Sequence, residues 1–308
     1  MTRKVILDVD PGFADAMAMC LVLGDSRLDV VAITATGGVV SPDKATRNVQ
    51  AIVEQLDPKR LPRLGAAESQ QALQTDGHLL HGIDGLCGAK FRVAELHHRH
   101  SSVKIIIDEV RAAPGEVTII ACGPLTNLAA VLRVEPDLAT QLGHLIILGG
   151  TLAGPGDVTS AAEFNIFCDA PAAQLVFRSP ITKTLVPIDV STSIAFDYGL
   201  LDLLPDDSTG VGRVMRAVLP GAFRAFRQRL GFEGVYAPEA VAVVAALHPE
   251  LLTTESLFGE VEVQGDLTHG ATILDRRRNP ESQPNMDVVV DIDTEAALDC
   301  ILRGLTTT

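Results

Sequence analysis

The fold is decided by the stretch Val5-Ile-Leu-Asp8-Val-Asp10-Pro-Gly-Phe-Ala14-Asp15-Ala-Met-Ala-Met19 near the N-terminus. An apolar run ends in Asp8 and Asp10, a Pro-Gly turn follows, and Asp15 opens an apolar segment with helical character. Asp8 and Asp10 share one side of the strand, because side chains alternate along it. Ligands bind at the carboxyl ends of strands in open α/β sheets, and carboxylates crowded there repel one another unless a cation relieves them. We therefore predict a site for a hard cation, Ca²⁺ or Mg²⁺, although Asp15 alone also suits a helix cap.

Apolar runs with strand character alternate with helical segments along the rest of the chain. Leu28–Thr36, Val117–Ala121 and His144–Leu148 each lead into a glycine-containing turn. This alternation predicts a mostly parallel central sheet flanked by helices. Because we find no internal repeat or linker, we expect a single α/β domain over residues 1–308. The stretch from Pro58 to His100 shows little periodicity and is expected to be an irregular insertion.

The composition excludes several classes of function. A formal net charge of −14 argues against binding to nucleic acid or to an anionic membrane, since both require basic patches. The 5 cysteines are scattered without a Cys-x-x-Cys pair, which is typical of reduced thiols. The sequence enters a strand pattern directly after Met1-Thr-Arg-Lys and has no apolar run near the ~20 residues that a membrane helix needs. We expect a cytoplasmic protein.

Further polar residues follow the later strands and are candidates for the same site. The backbone carbonyl of Thr126, in a Gly-Pro-Leu-Thr-Asn turn, is a neutral oxygen ligand suited to a hard cation, although a helix N-cap explains the turn equally well. Glu163 and Asn165 follow a glycine loop, where a carboxylate beside an amide suits recognition of sugar hydroxyls or, alternatively, helix capping. His81 lies in a glycine-flanked segment and is either an acid or a surface residue.

Five motifs in a fixed order resemble those of the inosine-uridine preferring nucleoside hydrolase family over essentially the whole chain. They are Asp8-Val-Asp10-Pro-Gly-Phe-Ala14-Asp15-Ala16, Lys44-Ala-Thr-Arg47-Asn48, His81-Gly-Ile-Asp84-Gly-Leu86, Gly123-Pro-Leu-Thr126-Asn127 and Ala162-Glu163-Phe-Asn165. The resemblance implies a nucleoside hydrolase-like fold with a Rossmann-like core. It also implies hydrolysis of the N-glycosidic bond of ribonucleosides, a bound Ca²⁺ and a homodimer or homotetramer.

The same resemblance assigns roles to individual residues. Asp10 is expected to be a calcium ligand and the base that acts on the attacking water, Asp15 a second ligand, and Thr126 a ligand through its carbonyl. Substrate contacts are expected from Asp8, His81, Asp157, Glu163, Asn165 and Tyr236. This set matches the chemistry, because an oxocarbenium-like sugar requires an activated water, charge stabilisation and a firm hold on the hydroxyls.

The chain departs from the family pattern on the ribose side. The opening motif of the family has two consecutive aspartates, whereas the first of these positions is Ala14 here. A Gly-Asn pair after the second strand is replaced by Gly38-Val39, and a later Gly-Asn pair by Gly156-Asp157. These replacements predict altered substrate recognition.

A second departure affects the leaving-group end. The His-Asp-Pro motif of the family corresponds to Tyr236-Ala237-Pro238, so a proposed acid and a calcium ligand are both replaced. Tyr236 is able to donate a proton, although a phenol is a weak acid at neutral pH. Glu239 lies two positions further on, and we do not count it as a ligand, because a shift along a helix changes the direction of a side chain.

Three hypotheses remain from the sequence. The first is a divergent metal-dependent N-glycosidase, and the second is a catalytically impaired homologue that binds a nucleoside or a sugar. The third is a phosphatase of the haloacid dehalogenase type, since Asp8-Val-Asp10 fits its nucleophile and acid. The Pro-Gly-Phe that follows fits that class poorly, and it leaves the downstream motifs unexplained.

Overall fold

A computed structural model describes residues 2–68, 78–94 and 99–306. Its strands, in chain order, are β1 (Arg3–Val9), β2 (Leu28–Ala35), β3 (Arg63–Ala66), β4 (His100–Ser101), β5 (Val117–Ala121), β6 (His144–Leu148), β7 (Lys183–Val186), β8 (Ala195–Phe196), β9 (Val235–Tyr236), β10 (Leu252–Val261), β11 (Thr272–Asp275) and β12 (Met286–Ile292). The helices are α1 (Phe13–Gly24), α2 (Pro42–Leu56), α3 (His78–His81), α4 (Ser102–Ala112), α5 (Thr126–Val134), α6 (Phe164–Cys168), α7 (Ala170–Arg178), α8 (Ile188–Ser191), α9 (Leu200–Leu203), α10 (Gly210–Leu230), α11 (Pro238–Leu247) and α12 (Thr294–Thr306). Short 3₁₀ turns occupy Pro136–Thr140 and Pro249–Leu251.

The centre of the molecule is a 10-stranded sheet with the order β11-β10-β12-β7-β6-β5-β1-β2-β3-β4. Every neighbouring pair from β12 to β4 is parallel, whereas β10 runs antiparallel to both β11 and β12. Strands β8 and β9 form a separate antiparallel pair. The predicted α/β class with a mostly parallel sheet is confirmed.

Strand β1 lies near the middle of the sheet because its apolar run is buried on both faces. Residues Val5 to Val9 are all fully buried, as is typical of a parallel strand with helices on each side. Asp8 lies beside Thr34 of β2 and Ala121 of β5 in the strand register. The carboxyl ends of β1, β2 and β5 therefore meet at one edge of the sheet.

Helix α1 is apolar around its whole circumference and is correspondingly buried from Phe13 to Val22. It packs against α10, α11 and α12, so this first helix forms the interior of one helical layer. The Pro-Gly turn before it carries the chain directly from β1 into the helix. Asp10 and Asp15 are thereby held on either side of one tight connection.

Three helices begin beside serine or aspartate residues, which are typical of helix N-termini. α2 begins at Pro42 after Ser41, and Ser101 caps α4 by accepting a hydrogen bond from the backbone N–H of Lys104. Asp169 caps α7 in the same way through Ala172. The side chains of Ser101 and Asp169 thus satisfy free backbone donors, whereas the side chain of Ser41 makes no capping hydrogen bond.

Three segments differ from expectation. The stretch 58–100, expected to be irregular, contains β3, α3 and the start of β4, with residues 69–77 and 95–98 outside the described part of the chain. The sequence Thr182–Ile188 predicts a strand that ends at Asp189, but β7 ends at Val186 and Asp189 lies in α8. The sequence Leu257–Val263 likewise predicts a strand, but β10 begins earlier, at Leu252, because its first half lies near the sheet edge and carries exposed side chains that hide the strand pattern.

Two properties bear on the environment of the protein. None of the helices in the described ranges is long and apolar enough to cross a lipid bilayer. The cysteines, all of which lie within those ranges, form no disulfide.

Candidate active site

A cleft of about 900 Å³ opens at the carboxyl edge of the parallel sheet. Its walls include residues that directly follow the strands, namely Asp10 after β1, Val39 after β2, Gly149 after β6 and Ile188 after β7. Residues of α1, α3, α10 and α11 close the sides. The cleft is therefore at the position where parallel α/β sheets bind ligands.

Asp10 directly follows β1 and lines the cleft. Its Oδ2 accepts a hydrogen bond from the backbone N–H of Val39 at 2.7 Å. Burial is the main cause that raises its pKa well above 3.8, and the charges of Asp15 and Glu239 add to this effect. Although Val39 lacks a polar side chain, its backbone thus fixes the orientation of Asp10.

Glycines surround Asp10 because there is no room for a Cβ. A Cβ at Gly38 would lie 2.0 Å from Oδ2 of Asp10, and one at Gly123 would lie 2.7 Å from Oδ1. Gly123 also lies against Thr36, whose Cγ2 would be 2.8 Å from the added atom. Both glycines therefore define the space that the carboxylate occupies.

We expect Gly123→Ala to displace Asp10 and to lower the rate of the reaction in the cleft by about 10- to 100-fold, because small misplacements of a reacting group are costly. The control is Gly24→Ala, where the nearest atom to an added Cβ is 4.0 Å away. Steady-state kinetics of both variants provide the measurement. Equal kcat values for Gly123→Ala and Gly24→Ala would contradict the tight fit.

Asp15 lies in the first turn of α1 and is fully buried. Its Oδ2 accepts a hydrogen bond from the backbone N–H of Gly12 at 2.8 Å, so it does cap the helix. Its Oδ1 is buried and has no hydrogen-bond partner within the described ranges. Burial raises the pKa of Asp15 to about 7. The capping bond accounts for one oxygen and leaves the other available.

Asp8 lies beneath the cleft and is not one of its lining residues. Its Oδ1 accepts hydrogen bonds from the Thr34 hydroxyl and, at 2.8 Å, from the Asn127 amide. Its Oδ2 is buried without a partner in the described part of the chain. Asp8 thus joins β1 to β2 and α5, and its substrate contact stays a prediction.

The burial of Asp8 gives a second prediction. Because burial raises its pKa from 3.8 to about 7, the folded state favours the protonated form. The stability that this provides at low pH is lost as the pH rises to about 7. Asp8→Asn keeps an acceptor for Thr34 and Asn127 and removes this loss. In chelator-containing buffer, the difference in unfolding free energy between Asp8→Asn and the wild type should grow from about pH 4 and level off above about pH 7. A constant difference over this range, measured by denaturant unfolding, would contradict the assignment.

Glu163 both caps a helix and lines the cleft. Its carboxylate accepts hydrogen bonds from the backbone N–H groups of Gly150 at 2.8 Å, Asn165 at 3.0 Å and Ile166 at 3.3 Å. Burial, followed by the charge of Asp157, raises its pKa to about 8. The two sequence interpretations of Glu163 are therefore compatible.

Asn165 is held by the ends of two strands. Its amide donates hydrogen bonds to the carbonyl of Cys122 at 2.8 Å and to that of Leu148 at 3.1 Å. Asp157 accepts a hydrogen bond from the backbone N–H of Phe164 at 2.8 Å. Asn165 and Asp157 both line the cleft with Glu163, and the substrate contacts of these residues stay predictions.

His81 lines the cleft at the end of α3, with its ring 5.1 Å from that of Phe13 between centroids. Its Nδ1 is buried and unpartnered in the described residues. Burial lowers the pKa of His81 to about 4. The ring is therefore neutral at physiological pH, which favours hydrogen bonding over proton donation from a charged imidazolium.

Tyr236 lines the same end of the cleft and stacks on Phe232, with ring centroids 4.6 Å apart and planes inclined by 13°. The ring of Phe226, another lining residue, lies 6.1 Å away. With His81 and Phe13, these side chains form an aromatic region suited to a flat heterocycle.

Glu239 is the residue that sequence reasoning set aside. Ala237 is fully buried and does not line the cleft, whereas Glu239, in the first turn of α11, does. Its Oε2 is buried and lacks a hydrogen-bond partner among the described residues. Burial raises the pKa of Glu239 well above 4.5, and the charges of Asp15 and Glu163 raise it further. An acidic residue in the first turn after the motif was the available signal.

Thr126 opens α5, and its hydroxyl donates a hydrogen bond to Oδ2 of Asp169 at 2.7 Å. It is not one of the residues that line the cleft. Its carbonyl as a cation ligand remains a prediction.

The donor set suits a hard cation, although it is not pre-assembled. Within the described ranges, no group of three or more His, Cys, Asp or Glu side chains is arranged as a metal site. Buried carboxylate oxygens of Asp8, Asp15 and Glu239 nevertheless lack partners there. Unpaired carboxylate oxygens are the ligands that Ca²⁺ and Mg²⁺ accept, so the residues present fit such an ion.

Comparisons with known proteins agree over the whole chain. The family model described as inosine-uridine preferring nucleoside hydrolase matches residues 5–299. The pyrimidine-specific ribonucleoside hydrolase RihA of Salmonella arizonae is 31% identical over 310 residues, covering 99% of this chain and 99% of that protein. RihA of Citrobacter koseri is 32% identical, covering 99% and 98%.

Solved structures give the same result. A plant nucleoside hydrolase has a TM-score of 0.90 and 28% identity, covering 100% of both chains. A purine-preferring ribonucleoside hydrolase from Gardnerella vaginalis has a TM-score of 0.91 and 27% identity, covering 99% of this chain and 98% of the other. Because the similar proteins include pyrimidine-specific and purine-preferring enzymes, the similarity does not assign a base.

Proposed function

Because the chain belongs to the inosine-uridine preferring nucleoside hydrolase family, we propose that it hydrolyses the N-glycosidic bond of a ribonucleoside or a related N-ribosyl compound. The observation that carries this proposal is that Asp10, Glu163 and Asn165 line one cleft at the carboxyl edge of the sheet. A base for water and polar groups for sugar hydroxyls are thus available to one small molecule.

Asp10 is the proposed base. Departure of the nucleobase leaves an oxocarbenium-like sugar, which water attacks as it loses a proton. The N–H of Val39 holds one oxygen of Asp10, and Gly123 leaves space at the other. Asp10 therefore accepts the proton of the attacking water at a fixed position.

We propose Ca²⁺ or Mg²⁺ as the cofactor, held by the carboxylates of Asp10 and Asp15 and by the carbonyl of Thr126. A bound hard cation supplies Lewis-acid activation of the attacking water. Asp15 is suited to this role because helix capping uses only one of its oxygens.

The remaining walls bind the two halves of the substrate. Glu163 and Asn165 hold ribose hydroxyls, with Asp157 as a further polar contact. His81 and Tyr236 contact the base, His81 as a neutral hydrogen-bonding ring because of its lowered pKa. Holding the sugar and base rigidly lowers the entropic cost of reaching the transition state.

Ala14 and Val39 make the wall beside Asp10 apolar, which supports altered recognition of the sugar. The same replacements, with Ala237, favour the alternative of a catalytically impaired homologue that binds a nucleoside or a sugar. Ligand-induced thermal stabilisation without turnover would support that alternative.

The test is incubation of the purified protein with a panel of purine and pyrimidine ribonucleosides, followed by chromatography of the free base. We expect release from at least one nucleoside, loss of release after treatment with a chelator, and recovery when Ca²⁺ or Mg²⁺ is returned. Absence of release from every nucleoside, with and without added cation, would contradict the proposed reaction.

We further propose a cytoplasmic role in nucleoside catabolism, as a homodimer or homotetramer, without nucleic-acid or membrane partners. The net charge of −14 and the absence of disulfides between the cysteines support this setting. Light scattering of the purified protein measures the oligomeric state.

A further inference from the structure

The acidic residue at the start of α11 lies at a different position from the one that the family resemblance leads one to expect. At position 237, where the resemblance leads one to expect an aspartate, a fully buried alanine stands. Glu239, two residues further along the first turn, lines the cleft with Asp10. A carboxylate thus enters the site from a different position of the same helix.

One oxygen of the Glu239 carboxyl is buried without a partner among the described residues. Its Oε2 makes no hydrogen bond within the described ranges, and the same holds for Oδ1 of Asp15, a residue with 0% exposure. A buried carboxylate without a partner is costly. Two such groups at one site indicate a missing cationic partner.

The acidic residues of the site act on one another. Asp15 is the strongest charge acting on Glu239, and Glu239 also raises the pKa of Asp10. Burial raises the pKa of the Cys122 thiol, and the charges of Asp15 and Glu239 raise it further. Glu239 and Asp10 line the same cleft, and Asp15, which is not one of the lining residues, lies close enough for its charge to act on both.

Arg229 also lines the cleft, but it forms no ion pair with Asp10, Asp15 or Glu239 within the described ranges. Over the described part of the chain, the ion pairs of lysine, arginine and histidine involve other acidic residues, not Asp10, Asp15 or Glu239. The neighbouring His81 is kept neutral at physiological pH by its lowered pKa. In the absence of a cation these buried carboxyls are relieved by protonation, as their raised pKa values indicate, and a bound cation would stabilise their charged forms.

We infer that Glu239 supplies the third carboxylate for a divalent cation held with Asp10 and Asp15, in place of the aspartate absent from position 237. The inference rests on the proposed function only for the use that the reaction makes of the ion. Within the described ranges Asp10, Asp15 and Glu239 are not already arranged as a metal site, so binding of the ion would have to bring the three carboxylates together.

The test compares the wild type with Glu239→Gln and with Glu281→Gln, which removes an exposed carboxylate that does not line the cleft. After chelation and dialysis, Ca²⁺ and Mg²⁺ binding is measured by titration calorimetry. We expect Glu239→Gln to lower the cation affinity at least about tenfold, since affinity follows the number and charge of the ligands. Glu281→Gln should bind like the wild type.

Thermal unfolding provides a second readout that a merely structural glutamate would not give. Without cation, Glu239→Gln should unfold at a higher temperature than the wild type, because it removes a carboxylate that its neighbours repel. With saturating cation, its stabilisation should be smaller than that of the wild type. A lower unfolding temperature without cation, together with an unchanged cation-induced shift, would overturn the inference.

The remaining outcomes separate this inference from the proposed function. Equal cation affinity in the wild type and Glu239→Gln, or a wild type that binds no divalent cation at millimolar concentration, overturns the inference even if nucleosides are hydrolysed. Cation binding that depends on Glu239, without hydrolysis of any nucleoside, supports the inference and contradicts the proposed reaction.

Discussion

Asp10→Asn is expected to lower kcat for nucleoside hydrolysis by about 10²- to 10⁴-fold, the usual contribution of a general base. Asparagine has the same shape and retains an oxygen that can accept the hydrogen bond from the backbone N–H of Val39. It cannot take a proton from the attacking water, and it removes one charge from the proposed cation site. The loss should therefore appear in kcat and not only in KM.

The control for this variant is Asp43→Asn, which neutralises an exposed aspartate in the first turn of α2. Its kcat should equal that of the wild type. A circular dichroism spectrum and an unfolding curve exclude misfolding of Asp10→Asn. If Asp10→Asn and Asp43→Asn were equally active, Asp10 would not be the base.

Glu163→Gln is expected to lower kcat/KM by about 10²-fold, because the hydrogen bonds that sugar hydroxyls donate to a carboxylate strengthen in the transition state. Glu163 accepts from Gly150 and Ile166 through Oε2 and from Asn165 through Oε1, and the glutamine oxygen replaces only one of these two acceptors. An unfolding curve of Glu163→Gln therefore has to show that the fold survives before its kinetics are compared with those of the wild type. Kinetics with a nucleoside found active in the panel measure the effect.

The raised pKa of Glu163 gives this variant a pH signature. With a pKa of about 8, Glu163 is largely protonated below that pH and ionises as the pH rises. If the ionised form holds the ribose, kcat/KM of the wild type rises with pH toward about 8, and Glu163→Gln lacks this rise. A Glu163→Gln profile parallel to that of the wild type would contradict the role of its charge.

Sequence patterns were sufficient for the centre of the fold. The continuous apolar runs of β1, β5 and β6 identified buried parallel strands, because only strands covered on both faces are apolar throughout. The position of Asp10 at the end of β1 followed directly. The five motifs identified the family, which excludes the phosphatase alternative.

The edges of the sheet were harder to predict. β3 has only four residues, Arg63–Ala66, of which three are half-buried, and it pairs with β2 and β4. The first half of β10 exposes most of its side chains. Since strand signals come from burial on one or both faces, short and exposed edge strands carry little pattern.

The directions of individual side chains were the second feature that the sequence did not predict. Sequence spacing did not show that Glu239 reaches the cleft or that Asp8 lies beneath it, because both depend on how α11 and β1 are placed in three dimensions. Asp189 is a similar case. Expected at a strand end, it lies in α8 and accepts hydrogen bonds from the backbone N–H groups of Leu152, Ala153 and Gly154. It shapes the loop that leads to Asp157.

The measurement that tests the central claim most directly is the release of free base and reducing sugar from a single ribonucleoside by the cation-loaded wild type. Both products should appear in equal amounts and at equal rates, and Asp10→Asn should release neither at a comparable rate. Release by Asp10→Asn as fast as by the wild type, or no release by the wild type from any nucleoside, would contradict the claim that this cleft is a nucleoside hydrolase active site.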